Sequence, residues 1–168
     1  MEIRIAGTVE DSIVDGPGLR FVVFVQGCPH HCDGCHNPET HDFSGGKLTT
    51  TDSLYEQCME NPLCRGVTFS GGEPFCQAEV LYELGSRFRA AGKHLMCYSG
   101  WTFEELQAKA QREEYVGKLL GILDVLVDGR FDISKRSLSL QFRGSSNQRL
   151  INVPESLRTG AAVEYPEL

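Results

Sequence analysis

The chain has 168 residues, of which 40% are hydrophobic and 23% are charged. A chain of this length fits one domain, and its composition argues against a disordered or fibrous protein. The formal net charge of -7 argues against nucleic acid as the main partner, because an acidic chain has no overall attraction for phosphate backbones.

Neither the N-terminus nor any later stretch has the pattern of a targeting or membrane-spanning segment. Residues 1–7 lack a basic start followed by a long apolar run, and no later apolar run is long enough to cross a bilayer. We therefore expect a cytoplasmic protein with no membrane partner. The seven cysteines favour metal ligands or buried thiols over a disulfide scaffold, because their number is odd and no export signal accompanies them.

The first strong strand signal is the run at residues 20–26 (RFVVFVQ), which is rich in β-branched and aromatic residues. Such a run is typical of a parallel strand that is covered on both faces. Residues 29–47 have neither helical nor strand periodicity, so we predict a long loop that starts at the carboxyl end of this strand. Loops of that length inside a compact domain are usually functional.

Helices and strands alternate through the rest of the chain. Apolar periodicity and end signals predict helices at residues 51–60 and 77–91, and a third behind a capping box formed by Thr102 and Glu105. Short apolar runs predict strands at residues 66–69, 93–98, 124–127 and 148–153.

This alternation indicates βαβ units with right-handed crossovers. A closed eight-fold barrel takes about 250 residues, so this chain can form only part of one. We predict an α/β fold with an open, partial (β/α) barrel in a single domain over residues 1–153. A partly flexible C-terminal tail is expected over residues 154–168.

Three of the cysteines, Cys28, Cys32 and Cys35, lie on the predicted loop in a C-x3-C-x2-C arrangement. Three thiolates can hold an iron–sulfur cube and leave its fourth iron open to a substrate. The alternative is a structural zinc site completed by His30, His31 or His36, because zinc also takes three cysteines and one histidine.

A glycine-rich turn, residues 70–74 (SGGEP), follows the second predicted strand of this parallel series. Ligands of α/β folds bind at the carboxyl edge of the sheet, where this turn and the cysteine loop both begin. Gly71 and Gly72 allow a ligand to approach the backbone, and the Glu73 carboxylate suits an ammonium group. The alternative is a tight turn that caps a helix.

The cysteine triplet and the glycine-rich turn together resemble the radical S-adenosylmethionine superfamily. The resemblance implies one [4Fe-4S] cluster with three cysteine ligands and a turn that holds the methionine end of S-adenosylmethionine. It also implies that the reduced cluster gives an electron to the sulfonium, and that the 5'-deoxyadenosyl radical formed abstracts a hydrogen atom from the substrate.

Further stretches resemble the glycyl-radical enzyme activases, and in particular those of anaerobic ribonucleoside-triphosphate reductase. The matching stretches are residues 15–18 (DGPG), 28–37, 70–74, 98–102 (YSGWT), 124–131 (DVLVDGRF) and 142–148 (FRGSSNQ). The resemblance implies that the large subunit of that reductase is the partner and that a flavodoxin-type protein donates the electron. His36 stands where relatives often have tyrosine, which keeps another glycyl-radical enzyme, such as formate lyase, open as the target.

The resemblance also assigns residues to the cofactor. The expected S-adenosylmethionine contacts are Gly34, Cys35, His36, Gly71, Gly72, Glu73, Asp128 and Arg130. Asp128 and Arg130 have the alternative of a structural ion pair at a strand end. Residues 130–149 contain five basic residues and one acidic residue, and we expect this stretch to face the partner or the cofactor carboxylate. For the remaining thiols, Cys58, Cys64, Cys76 and Cys97, we assign no function, and we expect Cys58 and Cys97 to be buried.

Overall fold

Seven strands form one mixed sheet in the computed structural model, which describes residues 1–166. The strands are β1 (Glu2–Ser12), β2 (Arg20–Val25), β3 (Lys47–Thr50), β4 (Gly66–Gly71), β5 (His94–Tyr98), β6 (Val125–Asp128) and β7 (Arg149–Asn152). Their order across the sheet is β3-β1-β2-β4-β5-β6-β7. Strands β2, β4, β5 and β6 pair in parallel, whereas β1, β3 and β7 are antiparallel to their neighbours. Within residues 1–166 the edge strands β3 and β7 do not pair with each other, so the sheet is open.

Within residues 1–166, five helices accompany the sheet. They are α1 (Thr51–Met59), α2 (Ala78–Ala90), α3 (Phe103–Ala110), α4 (Glu114–Ile122) and α5 (Val153–Thr159). The apolar stripes of α1 to α4 share the larger core cluster with one face of the central strands. The opposite face contributes a smaller cluster of Met96, Val125, Val127 and Leu150, against which Tyr98 and Phe142 pack. Alternate residues of one strand thus serve two different environments, as the two-residue period of a strand requires.

Arg20 is the largest side chain that is fully buried. Its guanidinium donates to the Thr68 hydroxyl and to the carbonyls of Pro17, Val67 and His94 at 2.8 to 3.0 Å. Burial lowers the pKa of Arg20 to about 10. These bonds join the 15–18 turn to β2, β4 and β5, because a buried cation needs a full set of acceptors.

The parallel core follows the sequence prediction closely, and the expected α/β class is confirmed. Two antiparallel strands, β1 and β3, and the helix α4 were not predicted. All four residues of β3 escape full burial, so the strand has no apolar signature. In α4 the buried residues Val116, Leu119 and Leu120 do have helical spacing, but Gly117 and Gly121 weaken the propensity signal.

The predicted C-terminal tail begins with helix α5, which Asn152 caps by accepting from the Glu155 N–H at 3.1 Å. Further on, Glu164 bridges to Ile151 of β7. The segment predicted as the C-terminal tail thus contains a helix and pairs with the sheet at Glu164, and residues 167–168 of it lie outside the described residues. Among the described residues, none of the helices has both the length and the apolar composition needed to cross a bilayer.

The capping box predicted for α3 is confirmed. The Glu105 N–H donates to the Thr102 hydroxyl, and the Thr102 N–H donates to the Glu105 carboxylate, both at 3.1 Å. We expect Thr102→Ala to lower the free energy of unfolding by about 1 kcal/mol, because the Glu105 N–H loses its acceptor. Urea unfolding measures this loss, and Thr102→Ser, which keeps the hydroxyl, should recover most of it. Equal losses for alanine and serine would contradict a capping role.

Candidate functional site

The carboxyl ends of the four parallel strands meet around one cavity of about 490 Å³. The loop after each strand contributes to its wall, with Cys28 after β2, Gly72 after β4, Ser99 and Gly100 after β5, and Gly129 after β6. Parallel strands bring their carboxyl ends to the same edge, which is where α/β proteins bind ligands. The cavity is therefore the candidate active site.

The three cysteines of the C-x3-C-x2-C loop all line this cavity. The loop is tied back to itself at its base, where the Gly27 N–H donates to the Thr40 carbonyl at 2.7 Å and the Cys28 N–H to the His41 carbonyl at 3.2 Å. At its tip, the Cys35 N–H donates to the Cys32 carbonyl at 3.2 Å. These bonds fix the position of the irregular cysteine loop and of the 3-10 turn Pro38–Thr40 that follows it. The three thiols are thereby held at the wall of the cavity.

The donor set of this loop fits an iron–sulfur cluster. All three thiols are free, and thiolate sulfur is the ligand that such clusters require. Burial raises the pKa of the Cys28 thiol, and burial also raises that of Cys32, so metal binding must displace protons from both. Among residues 1–166 no three His, Cys, Asp or Glu side chains already form a closed metal cage. The thiols thus share a cavity without being held at ligand spacing by the protein alone.

The glycine-rich turn packs directly on the base of the cysteine loop. The Gly72 N–H donates to the Val25 carbonyl at 2.9 Å, and the Glu73 N–H donates to the Gly27 carbonyl at 2.8 Å. A Cβ at Gly72 would lie 2.4 Å from the Gly27 carbonyl oxygen, which is closer than any real contact. Glycine is required here because two backbones touch, and Gly71 and Gly72 both face the cavity.

The Glu73 carboxylate is buried beneath this turn, with 1% of the residue exposed. It accepts hydrogen bonds from the Phe75 N–H at 3.0 Å, the Gly100 N–H at 2.8 Å and the Ser99 hydroxyl at 2.9 and 3.0 Å. The Phe75 bond caps the short 3-10 turn Pro74–Gln77, so the capping alternative holds for this residue. Glu73 is not among the residues that line the cavity.

His30, inside the cysteine loop, completes the environment of this carboxylate. Its Nε2 lies 2.6 Å from Glu73 Oε1, and its side chain is only 5% exposed. The ring lies edge-on to Trp101 at 4.7 Å between centroids, and Gly100 leaves room for it, since a Cβ there would lie 2.4 Å from the ring. His30 therefore connects the cysteine loop to the ends of β4 and β5.

The other two sequence-predicted residues of this loop differ in position, because Gly34 is not among the residues that line the cavity. His36 lines the cavity and is exposed, with its ring centroid 5.1 Å from that of Phe131. Gly34 has a φ of +71°, and a Cβ there would lie 2.6 Å from Ile133. The loop thus packs on residues 131–133, and glycine is needed both for the backbone conformation and for the close approach.

Asp128 and Arg130 do not line the cavity; Gly129 between them does. The Asp128 carboxylate is 1% exposed and accepts from the Phe103 N–H at 2.7 Å and from Arg149 Nε at 3.0 Å. It therefore caps α3 and forms an ion pair with Arg149. The alternative of a structural ion pair at a strand end thus applies to Asp128, but its partner is Arg149 and not Arg130. Arg130 lies 3.6 Å from the Glu105 carboxylate.

Several cavity residues were not predicted as site residues. Those with polar or aromatic side chains include Tyr98, Ser99, Phe142, Arg143 and Gln148. The Tyr98 hydroxyl donates to the Phe142 carbonyl at 2.7 Å, and burial raises the pKa of Tyr98 well above its usual value. Residues 98–100 could have been predicted by the argument used for the cysteine loop and the glycine turn. They lie at the carboxyl end of the third parallel strand, and ligands of α/β folds bind at that edge of the sheet.

Residues 14–151 match the family model described as a 4Fe-4S single cluster domain. The chain is 36% identical over 144 residues to the anaerobic ribonucleoside-triphosphate reductase-activating protein of Escherichia coli (strain K12), which covers 81% of this chain and 90% of that protein. It is 34% identical to the protein of that name from Vibrio cholerae, over 81% of this chain and 89% of that protein. It is 32% identical to that of Enterobacteria phage T4, over 82% of this chain and 86% of that protein.

Proposed function

The chain belongs to the family of anaerobic ribonucleoside-triphosphate reductase-activating proteins and contains a 4Fe-4S single cluster domain, and we propose that it generates a glycyl radical on such a reductase by reductive cleavage of S-adenosylmethionine. The observation that carries the proposal is the single cavity shared by the three loop cysteines and the Gly71–Gly72 turn. The cluster domain favours iron–sulfur chemistry over the zinc alternative.

Cys28, Cys32 and Cys35 are the cluster ligands in this proposal. They are the cysteines that line the cavity, whereas Cys58 and Cys97 are buried in the larger core, as the sequence predicts. Three ligands leave one iron open. Gly71 and Gly72 line the same cavity as the three cysteines, so S-adenosylmethionine held at this turn would lie beside the cluster.

A reduced cluster held by these cysteines would supply one electron for cleavage of the sulfonium of S-adenosylmethionine, which would yield methionine and a 5'-deoxyadenosyl radical able to take a hydrogen atom from the reductase glycine. The protein contributes placement. The N–H groups of Gly72 and Glu73 are used within the fold, and the missing Cβ atoms of Gly71 and Gly72 let the turn pack on the backbone of residues 24–27, which places the turn at the cavity. Cys35 and His36 line the same cavity as the two glycines, and a substrate protein that closes the cavity mouth would keep water from the radical.

In this proposal, Glu73, Asp128 and Arg130 do not line the cavity but support the residues that do. Glu73 fixes the ends of β4 and β5 through its bonds to Ser99 and Gly100. Asp128 fixes the end of β6 through Arg149, and Gly129 presents its backbone to the cofactor between Asp128 and Arg130. The three charged residues are therefore positioning residues.

The open sheet is a partial (β/α) barrel in this proposal. Helices α1 to α4 pack on one face of the parallel strands, and the other face carries the smaller apolar cluster beneath the cavity. That division between an outer helical layer and an inner face is the layout of a barrel. The seven free thiols fit a reducing compartment, so we place the protein in the cytoplasm, with a flavodoxin-type electron donor.

The test is electron paramagnetic resonance of the anaerobically reconstituted protein with reductant, S-adenosylmethionine and the large subunit of the reductase. A glycyl doublet on the large subunit, with release of 5'-deoxyadenosine and methionine, is the expected result. A doublet that forms only with another glycyl-radical enzyme, such as formate lyase, would change the target. Absence of 5'-deoxyadenosine under all conditions would remove the mechanism.

A further inference from the structure

Two thiols, Cys58 and Cys64, lie against each other at the edge of the sheet opposite the candidate active site. Their Sγ atoms are 3.8 Å apart, and the Cys64 thiol also donates to the Gly66 carbonyl at 3.2 Å. Cys58 is in the last turn of α1, and Cys64 lies two residues before β4 begins. Strands rise about 3.3 Å per residue, so the six residues of β4 separate this pair from the cavity by about 20 Å.

A tight turn in residues 58–64 (CMENPLC) brings the two thiols together. The Asn61 N–H donates to the Cys58 carbonyl at 3.3 Å, and the Cys64 N–H donates to the Asn61 carbonyl at 3.2 Å. The Asn61 side chain accepts from the Leu63 N–H at 3.0 Å, which is how asparagine stabilises turns. A disulfide places its sulfurs about 2.05 Å apart, so the two Sγ atoms must approach further. Residues 59–63 between them are mostly exposed and can adjust.

A groove gives small molecules a route to this buried pair. Cys58 is 1% exposed and Cys64 is 6% exposed, yet both line a groove of about 430 Å³ together with Leu19, Phe21 and Leu63. A water molecule occupies about 30 Å³ in the liquid, so the groove has room for an oxidant of similar size. The thiols are therefore reached through the groove and not from the open surface.

The second thiol decides what an oxidant would produce here. A thiol oxidised to a sulfenic acid condenses with a neighbouring thiol to form a disulfide, which thiols can reduce again. A sulfenic acid that has no thiol neighbour is open to further oxidation, which is irreversible at the sulfonic acid. The 3.8 Å contact between Cys58 and Cys64 favours the reversible product.

We propose that Cys58 and Cys64 are a redox modification site, at which hydrogen peroxide converts the thiol pair to a disulfide. One thiol attacks the O–O bond, which gives a sulfenic acid and releases one water molecule. The other thiol attacks that sulfur, which forms the S–S bond and releases a second water molecule. The peroxide thus gains two electrons, and the thiol pair loses two.

The order of the two steps follows from burial. Burial, reinforced by the neighbouring Cys64, raises the pKa of the Cys58 thiol to about 12, and the thiolate is the nucleophile in such reactions. Cys58 is therefore expected to react second. The inference goes beyond the proposed function and does not depend on it, because neither the cluster nor S-adenosylmethionine takes part.

Trypsin separates this site from the other cysteines. Cleavage after Lys47 and Arg65 gives a peptide, residues 48–65, whose only cysteines are Cys58 and Cys64. The reconstituted protein is treated anaerobically with hydrogen peroxide, unfolded in iodoacetamide to alkylate the remaining thiols, and digested for mass spectrometry. We expect the peptide to carry no alkyl group and to be about 2 Da lighter than the reduced peptide. Untreated protein, and treated protein reduced with dithiothreitol before alkylation, should carry an alkyl group on each cysteine.

The matched variants are Cys58→Ser and Cys64→Ser, each of which leaves one thiol without its neighbour. Fragmentation of the same peptide should then show gains of about 16, 32 or 48 Da at the remaining cysteine and no disulfide. Met59, which is 40% exposed in this peptide, reports the oxidant dose through its sulfoxide. The wild type alone decides the outcome if a variant does not fold. Alkylation of both cysteines at a dose that oxidises Met59, or a sulfinic acid in place of the disulfide, would overturn the proposal.

Discussion

Serine in place of Cys28, Cys32 or Cys35 is expected to abolish glycyl-radical formation on the reductase, with a loss of more than about 100-fold. Changes in residues that merely support a metal ligand already cost about 10 to 100-fold in affinity or activity, so loss of a ligand should cost more. Each of the three thiols lines the candidate cavity. Their effects should therefore be alike, and a double substitution should add little to a single one.

The measurements are iron and sulfide content after anaerobic reconstitution and the doublet yield with the large subunit. Wild type should hold roughly four irons per chain, as the 4Fe-4S single cluster domain implies. Cys76→Ser is the matched control, because Cys76 is free and exposed but does not line the cavity. Retention of a full cluster in any of the three serine variants would remove that cysteine from the ligand set. One zinc per chain without sulfide in the wild type would instead restore the zinc alternative.

The sequence predicted the parallel half of the sheet well because each of its strands is buried. In β2, β4, β5 and β6 nearly every residue is apolar or covered, so composition alone identifies them. The antiparallel additions are different. In β1, Ile3 and Ile5 are buried, but much of the strand beyond Gly7 is exposed, and pairing with β2 and β3 rather than burial defines it.

In the candidate site, too, some features could be predicted from the sequence and others could not. Residue type and spacing identified the cysteine loop and the glycine turn, and chain order placed both at the carboxyl edge. The contact between His30 and Glu73 could not be predicted, because the two residues are 43 positions apart. Without it, Glu73 looked like a ligand for an ammonium group, whereas the structure gives its carboxylate three partners at the ends of β4 and β5.

Glu73→Gln is expected to lower the free energy of unfolding by about 3 kcal/mol and to weaken S-adenosylmethionine binding at least about tenfold. A glutamine has one oxygen instead of two, and its amide would face a group that also donates, such as the Phe75 N–H. The charge that holds Ser99, Gly100 and His30 is lost at the same time. Glu79→Gln, at an exposed residue in the first turn of α2, is the matched control and should change either quantity little.

Urea unfolding and equilibrium dialysis of labelled S-adenosylmethionine against the reconstituted protein measure the two effects. A double-mutant cycle with His30→Ala then separates their common contribution, because the His30 ring contacts the carboxylate directly. We expect the two substitutions to be non-additive by about 1 kcal/mol or more, since either one alone breaks the side-chain contact between His30 and Glu73. Additive losses of the free energy of unfolding would mean that Glu73 and His30 stabilise separate parts of the fold. Full affinity of Glu73→Gln for S-adenosylmethionine would show that the glycine-rich turn keeps its shape without the buried charge.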